Sequence, residues 1–329
     1  MLSATATPTG PASRAAPANL PEPDTGLDLV TGAFSYSGRA IAAELTSRGR
    51  RFRTLTGHLD RAASTGDGID VRPFDFGDPV GLARSLKGVT TLYNTYWVRF
   101  ARGRTTHEVA VANSRALFHA ARRAGVQRIV HVSITHPSLD SPYPYFRGKA
   151  VVEQSLAETG LPFAIVRPAI LFGGDGVLIN NIAWLLRRLP VFALAGSGDY
   201  RIRAVHIDDL ARICCGAGER GPEGWSDEVI DAVGPENPTF KELVGQVAAA
   251  VGSRSRIVPL PALLVPLVSR LLGWVLRDVL LTTDELRAMM DGLADTDGPA
   301  TGEVRLSEWL TEHGDELGRS YANELNRHY

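Results

Sequence analysis

The stretch that most constrains this chain is Leu27–Arg61. Leu27–Thr31 is a short apolar run of strand character, and it meets the turn Gly32-Ala33-Phe34-Ser35-Tyr36-Ser37-Gly38. A helical pattern follows, with Ile41 and Leu45 on one face and Gly49 as its stop signal, and Arg51–Thr56 reads as a second strand. Strand, glycine turn, helix, strand is the opening of a dinucleotide-binding βαβ unit. A glycine lets backbone approach a pyrophosphate, and the N–H groups and dipole of the helix N-terminus attract the anion. Ser35 stands where the usual spacing has a middle glycine, leaving Gly32 and Gly38 six positions apart.

The alternation continues downstream. Asp70–Phe76, Thr90–Asn94, Arg128–Ser133 and Phe163–Arg167 read as strands. Pro79–Leu86, Thr106–Ala124 and Tyr145–Thr159 read as the helices between them. Strands and helices alternating at this interval imply an α/β fold, a Rossmann-type doubly wound parallel sheet covered on both faces. Ligands of such sheets gather at the carboxyl ends of the strands. Beyond Pro168 the pattern loosens. Asn180–Leu189, Ile207–Ala217, Phe240–Val251, Leu260–Leu281, Thr283–Asp291 and Leu306–Leu325 read as helical, and Tyr200–Val205 and Val229–Ala232 as short strands. The expected organisation is a disordered Ala/Pro/Thr-rich tail over 1–26 and a nucleotide-binding domain over 27–235. A smaller, mainly helical substrate-binding cap over 236–329 follows, with 174–200 contributing to it.

Composition narrows the function. At 329 residues the chain can bury a large core, and a net charge of −1 without a long basic block argues against nucleic acid as partner. The adjacent Cys214 and Cys215 lack metal-site spacing and cannot easily bridge each other, so they read as buried apolar residues in a reducing, cytoplasmic setting. The N-terminal stretch has no apolar core of a secretory signal. Leu260–Leu281 is interrupted by Pro261, Pro266, Arg270, Arg277 and Asp278, which disfavours a membrane span. No His/Cys/Asp cluster has ligand spacing, so no metal is expected. Homo-oligomerisation stays open.

The sharpest chemical pair is Tyr145 and Lys149, one helical turn apart at the start of a helix. A lysine cation beside a phenol favours the phenolate, which would bring proton exchange nearer neutral pH. A hydroxyl able to polarise a carbonyl should come from the end of the preceding strand, where both Ser133 and Thr135 qualify. Tyr96 and Trp97 follow the fourth strand and, with Phe146, Phe172 and Trp184, are candidates for pocket walls; packing of cap on sheet is the plainer reading for Trp184. For the nucleotide, strand two ends on Thr56-Gly57-His58 and the first carboxylate, Asp60, comes late. His58 and Arg61 suit a 2′-phosphate, so NADP(H) is preferred with NAD(H) open.

As a set, these features resemble the short-chain dehydrogenase/reductase superfamily in its extended or atypical branch. The likeness extends to NAD(P)H-binding, NmrA-like, complex-I-accessory-subunit-like and epimerase/dehydratase-like members. It rests on Thr31-Gly32-Ala33 through Gly38, Asp75-Phe76, Tyr145-x-x-x-Lys149, Arg167-Pro168-Ala169 with Phe172-Gly173, and Val205-His206-Ile207-Asp208-Asp209-Leu210, and covers about residues 27–235. It implies cofactor contacts at Gly32, Phe34, Ser35, Tyr36 and Gly38, at Asp75 and Phe76 by the adenine, and at Asn94, Thr95, Pro168 and Lys149 by the nicotinamide ribose. It implies Tyr145 as proton donor or acceptor with Lys149 as helper, Thr135 as first choice for the third member and Ser133 as second. The implied activity is hydride transfer to or from a small carbonyl or alcohol substrate. The alternatives are a non-catalytic NAD(P)H-binding regulatory or assembly protein, or an epimerase or dehydratase using tightly bound NAD(P).

Overall fold

The computed structural model describes residues 26–57, 59, 68–219, 225–261 and 282–323. The readings made for the N-terminal tail up to residue 25, for His58, Asp60 and Arg61, and for 262–281 lie outside these residues.

Seven strands form one parallel sheet. They are β1 (Leu27–Thr31), β2 (Phe52–Thr56), β3 (Asp70–Pro73), β4 (Val89–Asn94), β5 (Arg128–Val132), β6 (Phe163–Pro168) and β10 (Glu228–Ala232), in the order β10-β6-β5-β4-β1-β2-β3. The order reverses between β1 and β4, so a crevice opens beyond their carboxyl ends. Helices α1 (Tyr36–Ser47), α2 (Pro79–Ser85), α3 (His107–Ala124), α4 (Pro144–Ala157) and α6 (Ile207–Glu219) cover its faces. Leu82, Leu117, Phe118, Val152 and Leu156 pack with Leu29, Leu92 and Ile129 on one face. Ile41, Leu45, Leu210, Cys214 and Cys215 pack with Val30, Val130 and Val166 on the other. Each such large aliphatic side chain contributes about 1.5–3 kcal/mol by leaving water. Side chains from both layers explain why the central strands β1, β4 and β5 are buried at nearly every position rather than at alternate ones.

Local signals set the helix ends. Thr106 accepts from the Val109 N–H and opens α3, and Gly125 closes it in the left-handed region at φ +79°. Asp78 caps α2 through the Gly81 N–H.

The cap has its own core. Helices α5 (Val177–Arg188), α7 (Phe240–Ala250) and α9 (Leu306–His313) pack around Phe172, Ile182, Leu186, Phe240, Val244 and Leu310. Helix α8 (Thr283–Met290) adds Met289. Two small parallel sheets accompany them: β7 (Ile170–Phe172) with β9 (Ala204–His206), and β8 (Val191–Ala195) with β11 (Arg256–Leu260). Three departures from the sequence reading follow. The strand expected over Tyr200–Val205 is confined to Ala204–His206, Leu260 ends a strand, and the helix expected over Leu306–Leu325 stops at His313. The last has a visible cause: the Arg187 guanidinium takes the carbonyls of Gly314 and Leu317 at 2.8 Å each, and these can no longer serve a continuing helix.

Among the described residues no helix is long and apolar enough to cross a membrane, and no group of three or more His, Cys, Asp or Glu could hold a metal.

Candidate active site

A cavity of about 960 Å³ opens at the carboxyl ends of β1 and β4. Its floor at one end is the glycine turn. Gly32 adopts φ +66° and its carbonyl accepts from both the N–H and the hydroxyl of Ser35, at 2.8 and 2.6 Å. Ser35 occupies the N-cap position of α1, yet its hydroxyl is spent on the turn and does not cap the helix. The departure from glycine therefore braces the turn and leaves the first turn of α1 to an outside acceptor, the arrangement an anionic phosphate needs. Gly38 sits so close beneath that a Cβ there would overlap the Gly32 carbonyl. Tyr36 ties the turn to the cap by donating to the Gly173 carbonyl at 2.7 Å. These residues fit a nicotinamide dinucleotide.

A network of short bonds fixes the β1 and β4 ends. The Thr31 hydroxyl accepts from the Thr95 N–H at 2.8 Å, and the Thr95 hydroxyl donates to the Thr31 carbonyl at 2.6 Å. Asn94 accepts at Oδ1 from the Tyr96 N–H, 3.1 Å, which orients its amide group. Its Nδ2 then donates to His131 Nδ1 at 3.0 Å, so the imidazole carries its proton on Nε2 and is neutral. Burial, reinforced by the Lys149 charge, holds that histidine well below its ordinary pKa.

Tyr145 stands at the other end of the same cavity, half-buried, edge-on to Trp97 and to His107, which stack on each other at 5.8 Å. Trp97, Phe146, Ile134, Ala288, Met289 and Leu293 make this end apolar, and Phe74, Phe76 and Tyr96 form an aromatic cluster with centroids 4.5–5.3 Å apart towards β3. The phenol is pushed up from its usual pKa. Desolvation is the largest cause and the Glu285 carboxylate adds to it, while Arg99 acts in the opposite sense. Arg99 and Glu285 are an ion pair at 2.9 Å, and both line the cavity.

The structure brings together Gly32, Phe34, Ser35, Tyr36, Phe76, Thr95, Tyr96, Trp97, Thr135 and Tyr145 around one cavity. It sets other expected contacts behind the cavity wall. Gly38, Asn94 and Pro168 are buried beneath it. The Asp75 carboxylate turns to the Gly77 N–H at 2.8 Å. Phe172 is a fully buried member of the cap core, edge-on to His206 and Trp309, and so is a packing residue and not a pocket wall. Trp184 packs edge-on to Tyr321.

Lys149 is buried, donates from Nζ to the Val132 carbonyl at 2.8 Å, and lies 4.7 Å from the Trp97 ring centre. Burial draws its pKa from 10.5 to about 7, partly opposed by Glu153. Glu285 and Arg99 act on the Tyr145 phenol in opposite senses. The Thr135 hydroxyl donates to the Leu293 carbonyl at 2.8 Å, and the buried Ser133 hydroxyl has no partner among the described residues. Sequence reasoning missed Arg99 and Glu285. Glu285 shows only as the N3 residue of a capping box with Thr282, and nothing local pairs it with a residue 186 positions away.

The chain is similar to several known proteins. Residues 32–181 match the NAD(P)H-binding family. An uncharacterised Mycobacterium tuberculosis protein is 29% identical over 228 residues, 68% of this chain, and the chain covers only 23% of that protein's length. A (4-alkanoyl-5-oxo-2,5-dihydrofuran-3-yl)methyl phosphate reductase of Streptomyces griseus is 26% identical over 68% of this chain and 73% of its own. Among solved structures, the triphenylmethane reductase of a Citrobacter species, complexed with NADP(H), superposes with a TM-score of 0.70 over 88% of this chain and 99% of its own, at 18% identity. Residues 32–181 are thus similar to the NAD(P)H-binding family, in a chain of Rossmann-type fold. The resemblance to the extended or atypical short-chain dehydrogenase/reductase branch holds at that level.

Proposed function

We propose that this chain, with its NAD(P)H-binding domain over residues 32–181, is an NADP(H)-dependent reductase of a small, largely apolar carbonyl compound. One observation carries the reading: the Tyr145 phenol overlooks the same cavity into which the Gly32–Tyr36 turn opens. When bound, the reduced nicotinamide supplies a hydride. The turn and the first turn of α1 hold the phosphates, and the aromatic cluster of Phe74, Phe76 and Tyr96 walls the adenine end. Tyr145 supplies the proton. Like any phenol it is protonated at neutral pH, and burial keeps it so, which leaves it in the form that donates to an oxygen gaining charge. The apolar wall of Ile134, Phe146, Met289 and Leu293 excludes water and selects a substrate of low polarity.

A second reading, a nucleotide-binding regulatory protein without turnover, is favoured by the commitment of Lys149 to Val132 and of Thr135 to Leu293. One experiment separates the two. Tyr145→Phe should bind NADPH, followed by its fluorescence, as the native chain does, and should lose most NADPH oxidation with 9,10-phenanthrenequinone, a planar dicarbonyl probe. Equal oxidation rates for variant and native chain reject Tyr145 as the proton donor. Equal affinities for NADPH and NADH reject the cofactor preference.

A further inference from the structure

We infer that Arg99 is the group that stabilises negative charge on the substrate's carbonyl oxygen beside Tyr145, in the place where a strand-five hydroxyl was expected. The inference rests on the reductase reading and completes it.

Position comes first. Arg99 follows β4 and lines the tyrosine end of the cavity together with Trp97, Tyr145 and Phe146. Glu285, on α8 of the cap, holds it there at 2.9 Å. The second oxygen of that carboxylate is itself fixed by the N–H and hydroxyl of Thr282, at 2.8 and 3.0 Å. A capping box thereby becomes the anchor of an arginine from the other half of the molecule, and the cation is oriented before any substrate arrives.

The rivals are committed elsewhere or lie off the wall. The Thr135 hydroxyl donates its hydrogen bond to the Leu293 carbonyl. Ser133 is buried and off the cavity wall, as is Lys149, whose ammonium turns to Val132. Arg39, the other cation on the described wall, pairs with Asp175 at the glycine-turn end.

The energetics favour action in the transition state. Glu285 neutralises Arg99 in the free protein, so no lone charge is buried there. As a carbonyl oxygen gains charge there, the guanidinium attracts the new anion, an attraction that the paired Glu285 partly offsets. Both partners reach this spot: Arg99 and Glu285 pull the Tyr145 phenol in opposite senses. The step balances. The carbonyl carbon accepts the hydride pair from the reduced nicotinamide, the C=O π pair moves onto oxygen beside Arg99, and that oxygen takes the Tyr145 proton. Water then returns a proton to the phenolate, and the oxidised nicotinamide leaves as co-product.

The test uses 4-nitrophenol, whose coloured phenolate mimics the charged oxygen, bound to the full chain with NADP+. The native chain should prefer phenolate over phenol. Arg99→Met should reduce that preference at least about tenfold, Arg99→Lys should restore part of it, and Glu285→Gln should increase it. With 9,10-phenanthrenequinone, Arg99→Met should lose about 10²-fold in kcat, the scale of an oxyanion donor, with NADPH affinity kept. Opposite signs at the two partners are the signature, since a merely structural pair would lose in the same direction. The inference is overturned if the native chain shows no preference for the phenolate, if both variants shift it alike, or if Arg99→Met keeps its kcat. Full turnover by Tyr145→Phe would reject the tyrosine as proton donor, while the phenolate titration would still decide Arg99.

Discussion

The Lys149 ammonium makes its hydrogen bond to the Val132 carbonyl oxygen, 2.8 Å away, inside a wall where it is almost wholly buried. A carbonyl and the Trp97 ring are poor compensation for a charge taken out of water, and its pKa falls from 10.5 to about 7. Between those values the unfolded chain holds a proton that the folded chain has released. Stability therefore rises with pH across that window, and this contribution is lost as pH falls through 7. Lys149→Met should melt several degrees above the native chain below pH 7, a gain on the order of a few kcal/mol. The gap should close as pH approaches 10.5. Parallel melting curves over that range would contradict the assignment.

His131 imposes the same sign at lower pH. It is fully buried, edge-on to Phe118, and held neutral well below 6.5. Below about pH 6.5 the unfolded chain takes up a proton that the folded chain refuses, so the melting temperature should drop as the medium is acidified. His206, also lowered by burial, adds to the drop. His131→Gln keeps an acceptor for Asn94 and should flatten the acid limb, read by thermal melts between pH 5 and 7. An unchanged acid limb would place the titration elsewhere.

Gly38 separates helix packing from cofactor binding. A side chain there meets backbone, the Gly32 carbonyl oxygen, which cannot swing aside. Gly38→Ala should push α1 away from the turn, cost about 1–3 kcal/mol as overpacking does, and weaken NADPH binding by tenfold or more. Calorimetric melting and fluorescence titration read the two effects. Retained NADPH affinity at lowered stability would show that the turn binds without close helix contact.

The parts of this molecule that could be read from its sequence are those whose partners lie within one βα unit. The Leu27–Gly38 turn, the alternation through β6 and the Tyr145–Lys149 spacing are local, and the sheet and cavity follow from them. The strands of the cap were hidden because Ile170–Phe172 and Ala204–His206 are only three residues long and pair across the chain. Val191–Ala195 and Arg256–Leu260 form a sheet of two, with no repeating neighbour to signal it. The site divides in the same way. The one-turn spacing of Tyr145 and Lys149 is local, whereas what each side chain meets comes from afar, Glu285 and Arg99 near the phenol and Val132 and Trp97 at the ammonium. Side-chain direction depends on where the cap descends, and no window of sequence contains that.

The loop after β5 gives the sharpest contrast between sequence expectation and geometry. Three bonds strap it to the segment following α8: the Thr135 hydroxyl to the Leu293 carbonyl, His136 Nε2 to the Asp295 carbonyl, and the Tyr143 hydroxyl to the Asp291 carboxylate at 2.5 Å. His136 accepts a left-handed φ of +53° to do so, alone among the described non-glycine residues. A side chain that holds such backbone is a fastener before it is a catalyst. Thr135→Val keeps the shape and removes the hydroxyl. If the threonine polarised a carbonyl, kcat with 9,10-phenanthrenequinone would fall about 10²-fold with little change in melting. As a strap residue it should cost about 1 kcal/mol and a few degrees of melting temperature, with kcat reduced less than tenfold. A large loss of kcat at unchanged stability would return Thr135 to the catalytic role and remove the need for Arg99.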